Sequence, residues 1–104
     1  MKSITKDTFE SEVLNSDAPV LLEFYSDSCV PCKKMSPILA MLEEEQPGWK
    51  LVKININFGA ELARSYKVMS SPTFLFFKDG KECGRIGGVV KKEELESMLA
   101  EVVK

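Results

Sequence analysis

Two cysteines separated by two residues, Cys29-Val30-Pro31-Cys32, are the part of this sequence best suited to chemistry. Thiols three positions apart at the start of a helix can close a small disulfide with little backbone movement. The first would lie beside free N–H groups and the positive end of the helix dipole, which favour its thiolate. The thiolate is the nucleophilic form of cysteine. Lys33 and Lys34 add positive charge nearby, and Pro31 suits a first helical turn, where its missing N–H costs nothing. Two other readings compete. A pair of buried core cysteines fits poorly with Ser28 and Lys33 at a strand–loop–helix junction. A zinc site would need more ligands, and the chain has no histidine and only Cys83 as a further thiol. No metal is therefore expected. Cys83 reads as a buried or half-buried bystander in a hairpin strand, with regulatory oxidation as the alternative.

The elements that must position this pair follow from hydrophobic spacing. Val20-Leu21-Leu22-Glu23-Phe24-Tyr25 reads as a buried strand leading into the loop Ser26-Asp27-Ser28. A helix is expected from about Val30 to Gln46, with Met35, Ile38, Leu39 and Leu42 on one stripe and Pro37 as a kink. Before the strand, Thr5 can cap a helix carrying Phe9 and Val13 and ending near Asn15. After the long helix come a strand at 51–56, a short helix at about 60–66 and the aromatic strand Thr73 to Phe77. Asp79-Gly80 predicts a tight hairpin into a strand from Glu82 to Ile86. The last helix carries Leu95, Met98, Leu99, Val102 and Val103. If residues 2–4 add a first strand, the order is βαβαβαββα. That order implies an α/β fold with a central mixed sheet flanked by helices on both faces.

Composition narrows the function class. The chain of 104 residues suits one domain, 1–104, around one core. A net charge of −2 with dispersed lysines and arginines argues against nucleic-acid binding. No apolar run approaches the ~20 residues that cross a bilayer. The N-terminus lacks the apolar stretch of a signal peptide, so a cytoplasmic location is expected. There structural disulfides are rare, and a close cysteine pair is more often catalytic or metal-binding.

The segment from Val20 to Pro37 resembles the signature of the thioredoxin family. Further matches follow at Lys53-Ile54-Asn55-Ile56, Ala63 to Val68, Ser71-Pro72-Thr73, Phe77-Lys78-Asp79-Gly80 and Gly88. The resemblance implies a thioredoxin fold and reduction of protein disulfides by a small monomer that needs no bound cofactor beyond a Cys29–Cys32 disulfide. It also implies an electron donor of the thioredoxin-reductase type. By match, Cys29 is the attacking thiol and Cys32 the resolving one, and Pro72 is a cis-proline that lets neighbouring backbone pair with substrate. The resemblance makes Glu23 the buried proton-transfer acid and Lys53 its neighbour, with Glu where the family usually has Asp. Strand alternation alone leaves Glu23 free to sit on a wet face. Around the dithiol the resemblance places Tyr25, Ser28, Val30, Pro31, Ser71, Gly88 and Val89 as a docking surface. Three of these depart from the family: Ser28 replaces Trp, Val30 replaces Gly, and Ser71 replaces an apolar residue. A thioredoxin-fold adaptor or holdase that does not use its dithiol is the competing function.

Overall fold

In the computed structural model, which describes residues 1–104, the apolar run Val20–Tyr25 is strand β2, at the centre of a five-stranded sheet. Its neighbours explain its composition. Parallel strand β3 (Lys50–Asn55) lies on one side and antiparallel strand β4 (Thr73–Lys78) on the other. Strand β1 (Lys2–Ile4) extends the sheet beyond β3, and β5 (Lys81–Gly87) extends it beyond β4, giving the order β1-β3-β2-β4-β5. Three helices, α1 (Val30–Glu45), α2 (Ala60–Ser65) and α3 (Lys92–Val102), complete the chain. This is the mixed sheet with helices on both faces that the sequence predicts. No helix is long and apolar enough to cross a membrane.

Alternation along the strands divides the core into two layers. Leu21, Leu51, Phe74 and Phe76 pack with Met35, Leu39 and Leu42 of α1 and Leu95 and Leu99 of α3. Val20, Leu22, Phe24, Val52, Ile54, Leu75 and Phe77 pack with Phe9, Val13 and Ala63 on the opposite face. Helices therefore cover both faces of β2, and so its residues are apolar without interruption except at Glu23. The Asp79-Gly80 hairpin forms as expected. Both turn residues have positive φ, 53° and 80°, and Lys78 pairs with Lys81. A Cβ on Gly80 would also stand 2.9 Å from the Leu14 carbonyl oxygen, so glycine is required twice over.

The first helix differs from expectation. The chain makes a turn at 6–8 and then one π-type turn, Glu10–Leu14, closed by the Asn15 N–H on the Glu10 carbonyl at 2.9 Å. Thr5 still caps the turn as expected, and threonine side chains satisfy two of its N–H groups. Thr5 Oγ1 accepts from Asp7 N–H, and Thr8 Oγ1 accepts from Thr5 N–H. Phe9 and Val13 are still buried together. The turn is fixed to the sheet by Glu12, which pairs with Lys2 of β1 and with Lys50 of β3 at 2.5 Å. Hydrogen bonds from Lys2 and Lys50 hold the Glu12 carboxyl near 2, below its ordinary 4.5. A depressed carboxylate stabilises the fold above its unfolded pKa, and the gain is lost as pH falls through the folded one. Glu12→Gln should thus lower the melting temperature modestly at pH 7. In thermal melts the gap to the parent should narrow as pH drops from 4.5 toward 2.

Candidate active site

The strand register brings three loops to one end of the sheet. β2 ends at Tyr25 and leads to Cys29. β4 runs antiparallel to β2, with Thr73 opposite Phe24, so the loop before β4 arrives at the same end. Gly87 of β5 lies opposite Thr73, so Gly88 and Val89 leave from there too. Cys29 is the N-cap of α1, in extended conformation, and its Sγ accepts the Cys32 N–H at 3.1 Å. A cysteine sulfur thus fills the place usually taken by a capping oxygen. The two cysteines are joined by a disulfide, with Cα atoms 5.2 Å apart. Cys29 remains 8% exposed and Cys32 5%, so the first cysteine is the slightly more accessible of the two.

The other loops close around it. The Ser71–Pro72 peptide bond is cis, and Pro72 is buried. The Pro72 carbonyl accepts the Gly88 N–H at 2.8 Å, and Thr73 Oγ1 donates to the Ser70 carbonyl at 2.7 Å. Gly88 has φ +83° with open space around a would-be Cβ, so backbone conformation rather than crowding selects glycine there. Ser28, Val30, Pro31 and Val89 are exposed, while Tyr25, Ser71 and Gly88 are half-buried. Six large apolar residues are exposed on the protein, and Val30, Phe58, Met69 and Val89 of these belong to segments at this sheet end. Sequence reasoning passed over Phe58 and Met69. Each stands in a loop flanking α2 near a less exposed apolar neighbour, Ile56 or Val68, so no pattern in the sequence sets them apart.

Glu23 is buried on the α1 side of β2, 4% exposed, with Lys53 and Phe74 as its cross-strand partners. Its Oε2 has no hydrogen-bond partner. Burial pushes its carboxyl up from 4.5 to about 7, against the pull of the Lys53 charge. Lys53 lies opposite in register, but its ammonium sits over the Tyr25 ring, 4.9 Å from the centroid. The lysine is thus a neighbour of the acid that neutralises it only partly. A cleft of about 140 Å³ is lined by Cys32, Lys33, Ser36, Tyr25 and Lys53, joining the second cysteine to the lysine beside Glu23.

Cys83 is exposed, which corrects the expectation of a buried or half-buried thiol. The cause is a β-bulge. Phe76 faces Gly84 and Phe77 faces Glu82, so Cys83 is the extra residue, and its Sγ turns back to the Lys81 carbonyl at 3.4 Å. Trp49 stands at the far end of the sheet, before Lys50, which pairs with Val20, and its ring meets Phe76 edge-on at 6.1 Å. The length of β2, about 17 Å at ~3.3 Å per residue, separates it from the dithiol end. Reducing the disulfide should therefore change tryptophan emission only slightly while thiol counting shows two thiols gained. A several-fold rise without unfolding would contradict this placement.

Comparison with known proteins agrees with the fold. The family model described as Thioredoxin matches residues 1–101. The chain is 38% identical over 100 residues to the thioredoxin of Porphyra purpurea, covering 95% of this chain and 94% of that protein. It is 32% identical over 99 residues to the thioredoxin of Mycoplasmoides gallisepticum, covering 95% and 99%. It is 36% identical over 99 residues to the thioredoxin of Chlamydia pneumoniae, covering 95% of each. With a cysteine pair at bonding distance capping the helix that follows the central strand, the chain belongs to the thioredoxin family and is a thiol–disulfide oxidoreductase.

Proposed function

We propose that this protein, as one domain spanning 1–104, reduces protein disulfides and is recycled by an electron donor of the thioredoxin-reductase type. The observation that carries the reading is the placement of the Cys29 sulfur, which accepts a helix N-terminal N–H at 3.1 Å. In the reduced protein that N–H and the helix dipole favour a thiolate at Cys29. The thiolate attacks one sulfur of a client disulfide, a mixed disulfide forms, and the client's other sulfur leaves as a thiol or thiolate. Cys32 then attacks Cys29 Sγ. The Cys29–Cys32 disulfide forms, the second client thiol is released, and two electrons have passed to the client. The dithiol itself is the redox group, and the reading needs no bound cofactor or metal.

Glu23 is assigned proton transfer at Cys32, and Lys53 tunes it. Ser71 and Pro72 present backbone to the client, with Tyr25, Ser28, Val30, Pro31, Gly88 and Val89 as the surface around them. Exposed apolar side chains suit the flank of an unfolded or flexible client segment. Ser28 and Ser71 make this Cys-Val-Pro-Cys surface more polar than the family norm, which points to a distinct set of clients. A cytoplasmic monomer fits the reading. The test is reduction of a protein disulfide, such as that of insulin, by catalytic amounts of this protein under dithiothreitol. Acceleration is expected; a rate no greater than that of dithiothreitol alone would refute the reading.

A further inference from the structure

Residues three apart in a regular strand point to opposite faces of the sheet. Glu82 and Arg85 do not, because Cys83 between them is the extra residue of the bulge. Both therefore reach the sheet face that carries Tyr66 and Phe77. There the Arg85 guanidinium grips the Glu82 carboxylate through Nε at 2.6 Å and Nη2 at 2.8 Å. The same Nη2 donates to the Tyr66 carbonyl at 2.8 Å. Tyr66 is the C-cap of α2, and its ring is wedged edge-on between Phe9 and Phe77.

Tyr66 is also where the active-site loop begins. Lys67 has φ +58°, Lys67 N–H bonds the Arg64 carbonyl, and Val68 N–H bonds the Ala63 carbonyl. This is a Schellman ending, which fixes the direction in which the chain leaves the helix. The segment then runs through Met69 to Ser71 and joins β4 at Thr73. Its far end is held by Thr73 Oγ1 on the Ser70 carbonyl and by Gly88 N–H on the Pro72 carbonyl. Its near end is held across the fold by Arg85.

We infer that the Glu82–Arg85 pair, aligned by the bulge at Cys83, is a clamp on Tyr66 that sets the position of the 67–71 loop for pairing with protein clients. Arg85 is a positioning residue: it touches no sulfur and acts through the loop. The inference rests on the proposed role of Ser71 in binding clients. Arginine suits the task because its planar fork can hold a carboxylate and a carbonyl together. Release of the clamp would let the loop sample other positions, and a client would lose binding before it lost chemistry. A small aromatic disulfide, which needs only the exposed edge of Cys29, would not notice.

The experiment compares two substrates. Arg85→Ala and Glu82→Ala are assayed with insulin and with 5,5′-dithiobis(2-nitrobenzoic acid), alongside the parent. For Arg85→Ala we expect KM for insulin to rise about five-fold with kcat little changed, and the rate with the small disulfide to stay within about two-fold of the parent. Glu82→Ala, which leaves the guanidinium in place but unaligned, should shift KM the same way by less, and it carries the test if Arg85→Ala does not fold. Unchanged KM in both variants, or equal slowing of both substrates, overturns the inference. Failure of the parent to reduce insulin would instead refute the function proposed above.

Discussion

Cys29→Ser is expected to bring protein-disulfide reduction down to background, a loss of roughly a thousandfold or more, as removal of a covalent nucleophile does elsewhere. A serine hydroxyl in the same N-cap position can accept the Cys32 N–H just as Sγ does at 3.1 Å, so the fold has no reason to suffer. Chemistry alone is lost. Cys32→Ser should behave differently. Its Cys29 can still attack, but no thiol remains to resolve the mixed disulfide, so client and protein should accumulate as a covalent adduct. That adduct is visible as a shifted band without reductant and disappears with it. Alkylation of the reduced parent at mildly acidic pH should label Cys29 ahead of Cys32. Cys83 is exposed as well, but it caps no helix, so it should react more slowly, and Cys83→Ser should leave turnover unchanged. An active Cys29→Ser variant would restore the competing reading, an adaptor that ignores its dithiol.

Much of this arrangement was legible in the residues. The long apolar runs at Val20–Tyr25 and Thr73–Lys78, the stripe on α1 and the Asp79-Gly80 turn each carry local information, and each element formed within a residue or two of its expected bounds. The dithiol's place at the head of α1 followed from the loop between a strand and an amphipathic stripe. What stayed hidden depended on partners far along the chain. Nothing local says that Glu23 lies under α1 rather than in water; that follows from helices covering both faces of β2. The exposure of Cys83 depends on where β5 slips against β4, and a bulge leaves no mark in a strand of mixed residues. The same slip brings Glu82 and Arg85 onto one face, so their grip on Tyr66 was unreadable too. The first helix is shorter than its spacing suggests. Thr5 caps the segment as its type suggests, but only one π-type turn follows, and Glu12 in that turn is paired with lysines of two strands that local sequence does not show.

Glu23→Gln should have two separable effects, one on stability and one on rate. Burial raises the carboxyl from 4.5 to about 7, so the folded protein binds its proton more tightly than the unfolded chain does. A raised acid costs nothing below its unfolded pKa, and the cost grows as pH climbs toward the folded value. The window is therefore 4.5 to about 7, with the full cost above it. At 1.36 kcal/mol per unit this amounts to at most about 3 kcal/mol. Glutamine fills nearly the same volume without the charge. In urea titrations Glu23→Gln should exceed the parent in stability at pH 8 by up to about 3 kcal/mol and match it near pH 4. The rate effect follows from the same value of about 7, which lets the carboxylate take a proton at neutral pH and return it. Glutamine can do neither. With Cys32 as the group it serves, resolution of the mixed disulfide should slow roughly tenfold to a hundredfold, while the first attack by Cys29 keeps its rate. Stopped-flow mixing with a client disulfide, following adduct formation and decay separately, distinguishes the two steps. Higher stability at pH 8 with unaltered decay would leave Glu23 as a buried acid without a catalytic part, and slowing of both steps alike would place its influence on Cys29 instead.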